Sequence, residues 1–172
     1  FTKIHLWTDD GGELVMTNAR RLGRIRLRRD PRHEAPIAAL GFDPLLQMPS
    51  RREFAVLLTR RTGSMKGVLM DQSFAAGVGN WIADEVLYQA GIDPRRRANA
   101  LDEDEVEAVR RALRTVVRRA VQVDADKERF PRTWLFHTRW GKNAAAVTAA
   151  GERIEFLTVG GRTTAWVPAR QR

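Results

Sequence analysis

The sequence predicts an α+β fold in which short antiparallel hairpins flank a helical region, and three patterns support this. Residues 3–17 alternate in polarity on both sides of an Asp-Asp-Gly-Gly turn sequence, which is typical of a β-hairpin. Between residues 50 and 122, apolar residues recur at three- and four-residue steps, the period of amphipathic helices. Residues 153–167 contain two extended segments around a Gly-Gly-Arg turn, so the chain is expected to end in a second hairpin.

The first hairpin is followed by another stretch with a period of two, residues 24–28. Ile25 and Leu27 are expected to face a core, and the arginines around them the opposite side. A solvated sheet edge and a phosphate-facing surface explain these arginines equally well. Four prolines between residues 31 and 49 then predict a linker, with a domain boundary near residue 35.

Start and stop signals define three helices in the middle of the chain. Ser50 can cap a helix that continues to about residue 61, and a shorter helix is expected over residues 64–70. After a glycine-rich turn, a third helix is expected over residues 81–90, ending at Gly91.

The fourth and longest helix is expected from Asp102 to about Gln122. Asp102 and Glu105 form a capping box, and the apolar residues that follow keep a helical period. Acidic residues lie at the start of this segment and arginines lie further along, which complements the helix dipole. Most of this charge is therefore interpreted as structural.

The charge of the whole chain favours a polyanionic partner. Thirty Lys and Arg residues against 21 Asp and Glu give a formal net charge of +9, so nucleic acid is the first expectation. An anionic membrane surface is the weaker alternative, because no apolar run approaches the about 18 residues of a spanning helix. The sequence has no cysteine, which excludes disulfides and thiolate metal ligands and fits a reducing compartment.

The glycine-rich turn Gly77-Val78-Gly79-Asn80 precedes the third helix. Its backbone N–H groups and the positive end of the helix dipole could bind a phosphate. A lone glycine turn before a helix is more often only a turn, so this spacing alone does not establish a phosphate site.

Residues 70–92, which contain this turn, closely resemble the helix–two-turn–helix signature of the formamidopyrimidine-DNA glycosylase/endonuclease VIII family. The resemblance extends to the pair Arg20-Arg21 and to residues 160–164 (Gly-Gly-Arg-Thr-Thr), in family order and at family distances. It therefore covers essentially the whole chain. It implies four parts: the end of a catalytic β-sandwich (1–35), a linker (36–49), a helix–two-turn–helix domain (50–130) and a finger (131–172).

The resemblance further implies a finger that has lost its zinc. The four positions where the family carries cysteine ligands hold side chains that cannot bind zinc, namely Val147, Ala150, Val167 and Arg170. The finger is similar to those of the zincless plant and fungal branch, and we expect packing by Ile154, Phe156 and Trp166 to replace the metal. His137 is interpreted as a packed or hydrogen-bonding residue, and neither a metal nor a cofactor is expected.

The resemblance also implies which residues bind phosphate. Asn80, preceded by Gly79, and Arg162 match the residues that clamp the phosphates beside the lesion, with Arg162 as a bidentate donor. Lys66 matches a lysine near the lesion phosphate and the damaged base. The ordinary alternatives are an exposed turn residue for Arg162 and an exposed helix lysine for Lys66.

Two residues near the start of the chain match the pair that enters the duplex when the damaged nucleotide is flipped out. Arg20 would face the orphaned base and Leu22 would wedge the base stack, with Arg21 counted among the DNA-binding residues. The family often has phenylalanine where Leu22 stands, and a smaller wedge stacks less well. Alternatively, Arg20 belongs to the basic strand.

The catalytic group of the family is the amine of an N-terminal proline, followed by a glutamate, which forms a Schiff base with the sugar C1′. Phe1-Thr2-Lys3 does not resemble that site, so we expect a fragment that binds damaged double-stranded DNA as a monomer without excising. The complete protein is predicted to be a base-excision-repair glycosylase/AP lyase for oxidised bases, nuclear if eukaryotic and otherwise cytoplasmic or nucleoid-associated. A non-catalytic relative and an RNA-binding or topoisomerase-associated module are the alternatives.

Overall fold

The computed structural model of the protein describes residues 1–20 and 22–172 and confirms the α+β class. The chain forms two compact units, Phe1–Ala38 and Ala39–Arg172. The strands are β1 (Thr2–Trp7), β2 (Glu13–Thr17), β3 (Glu155–Val159) and β4 (Arg162–Trp166), and the helices are α1 (Arg51–Thr59), α2 (Met65–Met70), α3 (Asn80–Ala90) and α4 (Glu103–Gln122). None of these helices is long and apolar enough to cross a membrane.

The unit Phe1–Ala38 is built on the predicted hairpin. Strands β1 and β2 pair antiparallel, with Trp7 opposite Glu13 at the turn end. The prediction of a strand at residues 24–28 is wrong, because that segment pairs with no other described segment of the chain. Leu27 is 96% exposed and Ile25 is half exposed. A period of two buries a face only when a neighbouring strand and a packed layer exist to cover it.

The predicted helices of the second unit are confirmed, and their ends have the expected chemical causes. Ser50 and Glu53 exchange side-chain to backbone hydrogen bonds at the start of α1, as Asp102 and Glu105 do for α4. Helix α3 ends at Gly91, whose φ of 74° is the left-handed conformation that favours glycine at this position.

Helix α3 lies at the centre of this unit. Residues 83–88 are buried without interruption, which requires neighbours on every side of the helix. Those neighbours are α2, α4, β4 and the short helical turn at residues 135–137. The largest fully buried apolar side chains around it are Phe54, Leu58, Met65, Leu69, Leu87 and Leu113.

Part of the proline-rich segment before α1 packs on this unit. Phe42 forms a parallel bridge with Ala75, and its ring packs edge-on against Phe74 at 5.4 Å between centroids. Gly41 approaches the backbone so closely that a Cβ atom there would lie 2.2 Å from the Phe74 carbonyl oxygen. Only glycine fits that approach, so the chain enters the helical unit along a fixed path.

The C-terminal hairpin has the turn that its two glycines predict. Val159 pairs with Arg162, and the two residues between them, Gly160 and Gly161, have φ of 58° and 71°. Positive φ at both positions is the hairpin turn whose twist matches that of the strands. Arg162 is therefore the first residue of β4 rather than a turn residue. The turn rests on α2, since a Cβ on Gly160 would lie 3.3 Å from the Met70 Cε.

The three residues expected to pack in the finger do so. Ile154 and Trp166 are buried, and Phe156 is partly buried against a small core. The buried members of that core are Tyr88, Leu135, Ile154, Ala165 and Val167. The finger thus shares its core with α3, which contributes Tyr88.

The other end of the finger is held by hydrogen bonds around one carboxylate. Glu152 Oε2 accepts from the Thr148 hydroxyl at 3.0 Å and the Tyr88 hydroxyl at 3.3 Å, and Arg170 Nη1 lies 3.8 Å away. Burial raises the pKa of Tyr88, so its hydroxyl stays a donor. Val167 donates its N–H to Gln171 Oε1 at 2.6 Å. All four positions predicted to replace zinc ligands therefore make packing or polar contacts, since Ala150 donates its N–H to the Thr148 hydroxyl at 3.2 Å and Val147 forms a bridge with Arg153.

We expect the Glu152→Ala variant to lose about 1–3 kcal/mol of unfolding free energy, because it leaves part-buried donors without their acceptor. Thermal melts followed by near-UV circular dichroism measure the loss. Glu155→Ala, at an exposed position of β3, is the matched control. A chelator is expected to leave the melting temperature of the unaltered protein unchanged. A melting temperature that falls with chelator would contradict a finger stabilised by packing and hydrogen bonds.

Candidate nucleic-acid interface

The turn before α3 is fixed by a single side chain. Gln72 Oε1 accepts the N–H of Gly77 at 2.8 Å, and Gln72 Nε2 donates to the carbonyl of Val78 at 3.0 Å. Gly79 is the N-cap residue that precedes α3. It provides no side-chain hydrogen bond to the helix, and the space where a Cβ atom would lie is open. An uncapped helix start that is open to solvent is a favourable position for an anion.

Asn80 joins the start of α3 to the finger. Its Nδ2 donates to the carbonyl oxygen of Thr163 at 3.0 Å, directly after Arg162 in β4. Its Oδ1 is buried and has no hydrogen-bond partner among the described residues. The two predicted phosphate-binding residues are therefore held close to one another through the Thr163 carbonyl.

Lys66 is fully buried, so the alternative of an exposed helix lysine is wrong for it. Its Nζ donates to Asp84 Oδ1 at 2.6 Å, to Thr164 Oγ1 at 2.6 Å and to the Thr163 carbonyl at 3.1 Å. These three acceptors occupy all the N–H groups of an ammonium. Burial lowers the pKa of Lys66, and the Asp84 carboxylate opposes that change.

Asp84 is the partner that binds this region together. Its Oδ2 accepts from Arg139 Nη2 at 2.6 Å, from Arg139 Nε at 3.1 Å and from the N–H of Ala165 at 3.2 Å. The Arg139 guanidinium also lies over the ring of Trp140, 4.5 Å from its centroid. The carboxylate thus connects α3 with α2, with β4 and, through Arg139, with the loop before β3. Two adjacent acidic residues in the middle of a largely apolar helix were the sequence signal that could have found this site.

Arg162 carries an exposed side chain at the tip of this arrangement. Its guanidinium has no hydrogen-bond or ion-pair partner in the described part of the chain. The neighbouring residue Thr163 is fixed by Asn80 and Lys66, so the backbone that carries the guanidinium is held in place. A free, positioned guanidinium suits bidentate binding of a phosphate.

The other predicted residues belong to the unit Phe1–Ala38. Arg20 is exposed, and Leu22 is 73% exposed with its N–H bound to Asn18 Oδ1 at 2.9 Å. Arg21 lies outside the described residues. Both described side chains are thus open to solvent within their own unit.

Glu85, next to Asp84, is a second buried carboxyl group. It accepts from Gln89 Nε2 at 2.8 Å and from the N–H of Phe136 at 2.9 Å. Burial raises the pKa of Glu85 to about 7 from its ordinary value of 4.5, against the effect of these hydrogen bonds. The sequence analysis did not single out this residue.

A turn with two glycines before an uncapped helix start, next to a hairpin with a free arginine, is the arrangement of a helix–two-turn–helix domain followed by a β-finger. The family model described as the formamidopyrimidine-DNA glycosylase H2TH domain matches residues 40–131. The model described as the formamidopyrimidine-DNA glycosylase-like C-terminal domain matches residues 134–168.

Individual relatives agree with these models. A formamidopyrimidine-DNA glycosylase of Arabidopsis thaliana is 43% identical over 172 residues, which cover 100% of this chain and 44% of the relative. One from Desulfitobacterium hafniense is 32% identical, covering 93% of this chain and 62% of the relative. The crystal structure of the MutM (Fpg) protein of Thermus thermophilus is also similar. Its sequence is 32% identical to this chain, the TM-score is 0.76, and the match covers 97% of this chain and 67% of that chain.

A further similar structure is a complex of a Lactococcus lactis Fpg variant with a Fapy-dG containing DNA. It is 25% identical, with a TM-score of 0.65, and the match covers 78% of this chain and 52% of that chain. The chain belongs to the formamidopyrimidine-DNA glycosylase family. It spans 44% and 62% of the length of the two curated relatives described above.

The Asp84→Ala variant is expected to lose about 3–5 kcal/mol of unfolding free energy, because it leaves Lys66 and Arg139 buried without their counter-charge. Urea unfolding followed by tryptophan fluorescence measures the loss. Asp104→Ala, which removes an exposed carboxylate at the start of α4, is the matched control. A loss below about 1 kcal/mol, the range of exposed ion pairs, would show that Asp84 does not hold the two cations.

Glu85 gives a pH dependence of defined sign. Its pKa is higher in the folded protein than in the unfolded chain, so its stabilising contribution is complete below about pH 4.5 and is lost as pH rises through about 7. Relative to Glu85→Gln, the unaltered protein is expected to lose about 2–3 kcal/mol of unfolding free energy between pH 5 and pH 8. Parallel urea titrations at the two pH values measure this difference. Glu128→Gln, at an exposed position, should keep the pH dependence of the unaltered protein. If Glu85→Gln keeps it too, Glu85 is not the group whose pKa is raised.

Proposed function

We propose that the chain is the damaged-DNA-binding part of a bifunctional DNA glycosylase/AP lyase that removes oxidised bases in base-excision repair. The observation that carries the proposal is the Thr163 carbonyl, which accepts from both Asn80 and Lys66 and holds the free Arg162 beside the start of α3. Family membership supports the class of enzyme. The Lactococcus lactis relative in complex with a Fapy-dG containing DNA supports oxidised purines as the substrate class.

In this proposal the phosphates beside the lesion lie between the start of α3 and the finger tip. Arg162 donates to one phosphate from the finger, and Asn80 donates its second amide N–H from the helix, where the N–H groups after Gly79 add the helix dipole. Lys66 acts through the Thr163 and Thr164 acceptors as a positioning residue, since its three N–H groups are used within the protein. Its charge lies close behind the bound phosphate.

The unit Phe1–Ala38 supplies the residues that replace the flipped nucleotide. Leu22 wedges the stack and Arg20 faces the orphaned base, assisted by the charge of Arg21. The exposure of Leu22 supports this role, because a wedge must reach the duplex without unfolding its own unit. Excision in the whole protein proceeds through a Schiff base at the sugar C1′ followed by elimination. The plant relative supports a eukaryotic source, for which a DNA-repair protein would act in the nucleus.

The tip residues predict a specific binding defect. Asn80→Ala and Arg162→Ala should each weaken binding to a duplex with an abasic-site analogue by about 1–3 kcal/mol, and much less to undamaged duplex. Arg162→Ala should also reduce the slope of log K against log salt by about 0.9, the value for one phosphate contact. Fluorescence anisotropy titrations across a salt series measure both. Arg153→Ala is the control, because it removes an exposed arginine from the same finger.

Two results would contradict the proposal. Equal affinity of the unaltered protein for damaged and undamaged duplex would leave a general polyanion-binding domain. Equal or tighter binding to RNA of the same length would favour an RNA-binding module instead. An Arg162→Ala slope equal to that of Arg153→Ala would remove the phosphate role of the finger tip alone.

A further inference from the structure

Helix α4 carries a groove that the tip site does not use. The groove lies between the outer side of α4 and the segment 131–134, and its volume is about 720 Å³. Its lining, which we call the arginine groove, includes Arg110, Arg111, Arg114, Arg118 and Arg119. Glu107 is the one acidic residue of that lining. The groove therefore has a strong excess of positive charge.

Complementarity to the helix dipole does not account for these arginines. The dipole acts within the first and last turns of a helix, and among the five arginines only Arg119 lies in the last turn of α4. Glu107 pairs with Arg110 at 3.1 Å and reaches Arg111 at 3.8 Å. Pairing with Glu107 thus accounts for Arg110 and Arg111, and neither that pairing nor the dipole accounts for Arg114 and Arg118.

Arg114 and Arg118 are free. Both are exposed, and their guanidinium groups have no hydrogen-bond or ion-pair partner within residues 1–20 and 22–172. They lie four residues apart, so they project from the same side of α4. Two neighbouring cations without a counter-ion repel each other, and an anion between them removes that repulsion.

Arg119 adds a fixed positive charge to the groove. Its Nη2 donates to the carbonyl of Arg129 at 2.7 Å, which holds the guanidinium in place. Its Nε–H is buried and lacks an acceptor among the described residues. Because that Nε is not accessible to solvent, Arg119 contributes its charge to the groove and not this donor.

Packed aromatic rings lie between the groove and the start of α3. Trp134 lines the groove, and its ring lies 6.5 Å from that of Trp81, the residue after Asn80. Phe130 contacts both rings, at 5.4 Å from Trp81 and 5.0 Å from Trp134. Three packed aromatic rings therefore connect the arginine groove to the helix start that binds phosphate in the proposed function.

We propose that the arginine groove binds the sugar–phosphate backbone of duplex DNA that flanks the lesion, an inference that rests on the proposed function. Seven residues separate Arg111 from Arg118, a distance of about 10 Å along a helix. One DNA strand advances about 3.4 Å per nucleotide, so this row spans about three nucleotides. Trp134 is 7% exposed, so the groove offers neither a stacking surface for bases nor a large apolar anchor for a protein partner.

Anisotropy titrations with the 172-residue chain test the groove. Duplexes of about 12 and about 30 base pairs, each with a central abasic-site analogue, are titrated between about 50 and 200 mM salt. The double variant Arg114→Ala/Arg118→Ala should lower the slope of log K against log salt by about 1.8 on the long duplex and leave the short duplex unchanged. When salt rises from about 50 to about 200 mM, the factor by which affinity for the long duplex falls should therefore be about ten times smaller in the double variant. Lysine at both positions should restore the slope.

The matched control is Arg52→Ala/Arg60→Ala, which removes two exposed arginines from the α1 region. An equal slope change in the two double variants would indicate a general charge effect and would overturn the proposal that the groove binds DNA. An unchanged slope on both duplexes would overturn it as well. A second duplex bound per protein, lost in the groove variant, would overturn the flanking position in favour of a separate DNA segment.

The two proposals fail in different ways. Loss of lesion preference in the unaltered protein, with the groove effect intact, would reject the proposed function alone. Lesion preference that depends on Asn80 and Arg162, without a groove effect, would reject the groove alone. Circular dichroism of each variant verifies that the fold is retained, which the exposure of Arg114 and Arg118 leads us to expect.

Discussion

The architecture of the helical unit depends on one buried carboxylate, that of Asp84. Burial of an isolated charge is strongly unfavourable, so Lys66 and Arg139 must meet it with short, well-directed hydrogen bonds. A buried ion pair adds little net stability over an apolar replacement, but it is satisfied in only one arrangement of its partners. Here that arrangement also fixes Ala165 of β4, whose N–H donates to the same carboxylate. Asp84 therefore sets where the finger lies on α3.

The finger is consequently attached at both of its ends. At the tip, Lys66 and Asn80 share the Thr163 carbonyl, and at the other end Glu152 gathers the hydroxyls of Tyr88 and Thr148. Between these ends a small apolar core is shared with α3. A hairpin of two strands alone is marginally stable in water, so the contacts with α3 supply its stability. The same contacts prevent Arg162 from moving relative to the helix start.

Local signals in the sequence were sufficient for the helices and the hairpin turns. The caps at Ser50 and Asp102 and the glycines at 160 and 161 act over a few residues, so they can be identified without a structure. The prediction of a strand at residues 24–28 was wrong because a strand needs a partner strand, and the local sequence does not show whether one exists. The contacts of Lys66 lie 18 and 98 residues away in sequence, so its burial could not be inferred from helical spacing.

Charge balance links the folding of this unit to anion binding. Lys66, Arg139 and Asp84 form a buried cluster with one positive charge in excess, directly behind the Thr163 carbonyl. Glu85 lies next to Asp84, but burial keeps a large share of this carboxyl protonated near neutral pH, so it supplies only part of the missing negative charge. In the proposed function, a phosphate at the start of α3 supplies the rest from outside. Anything that binds only the folded state stabilises it, so we expect DNA bound as proposed to stabilise the unit by balancing this charge.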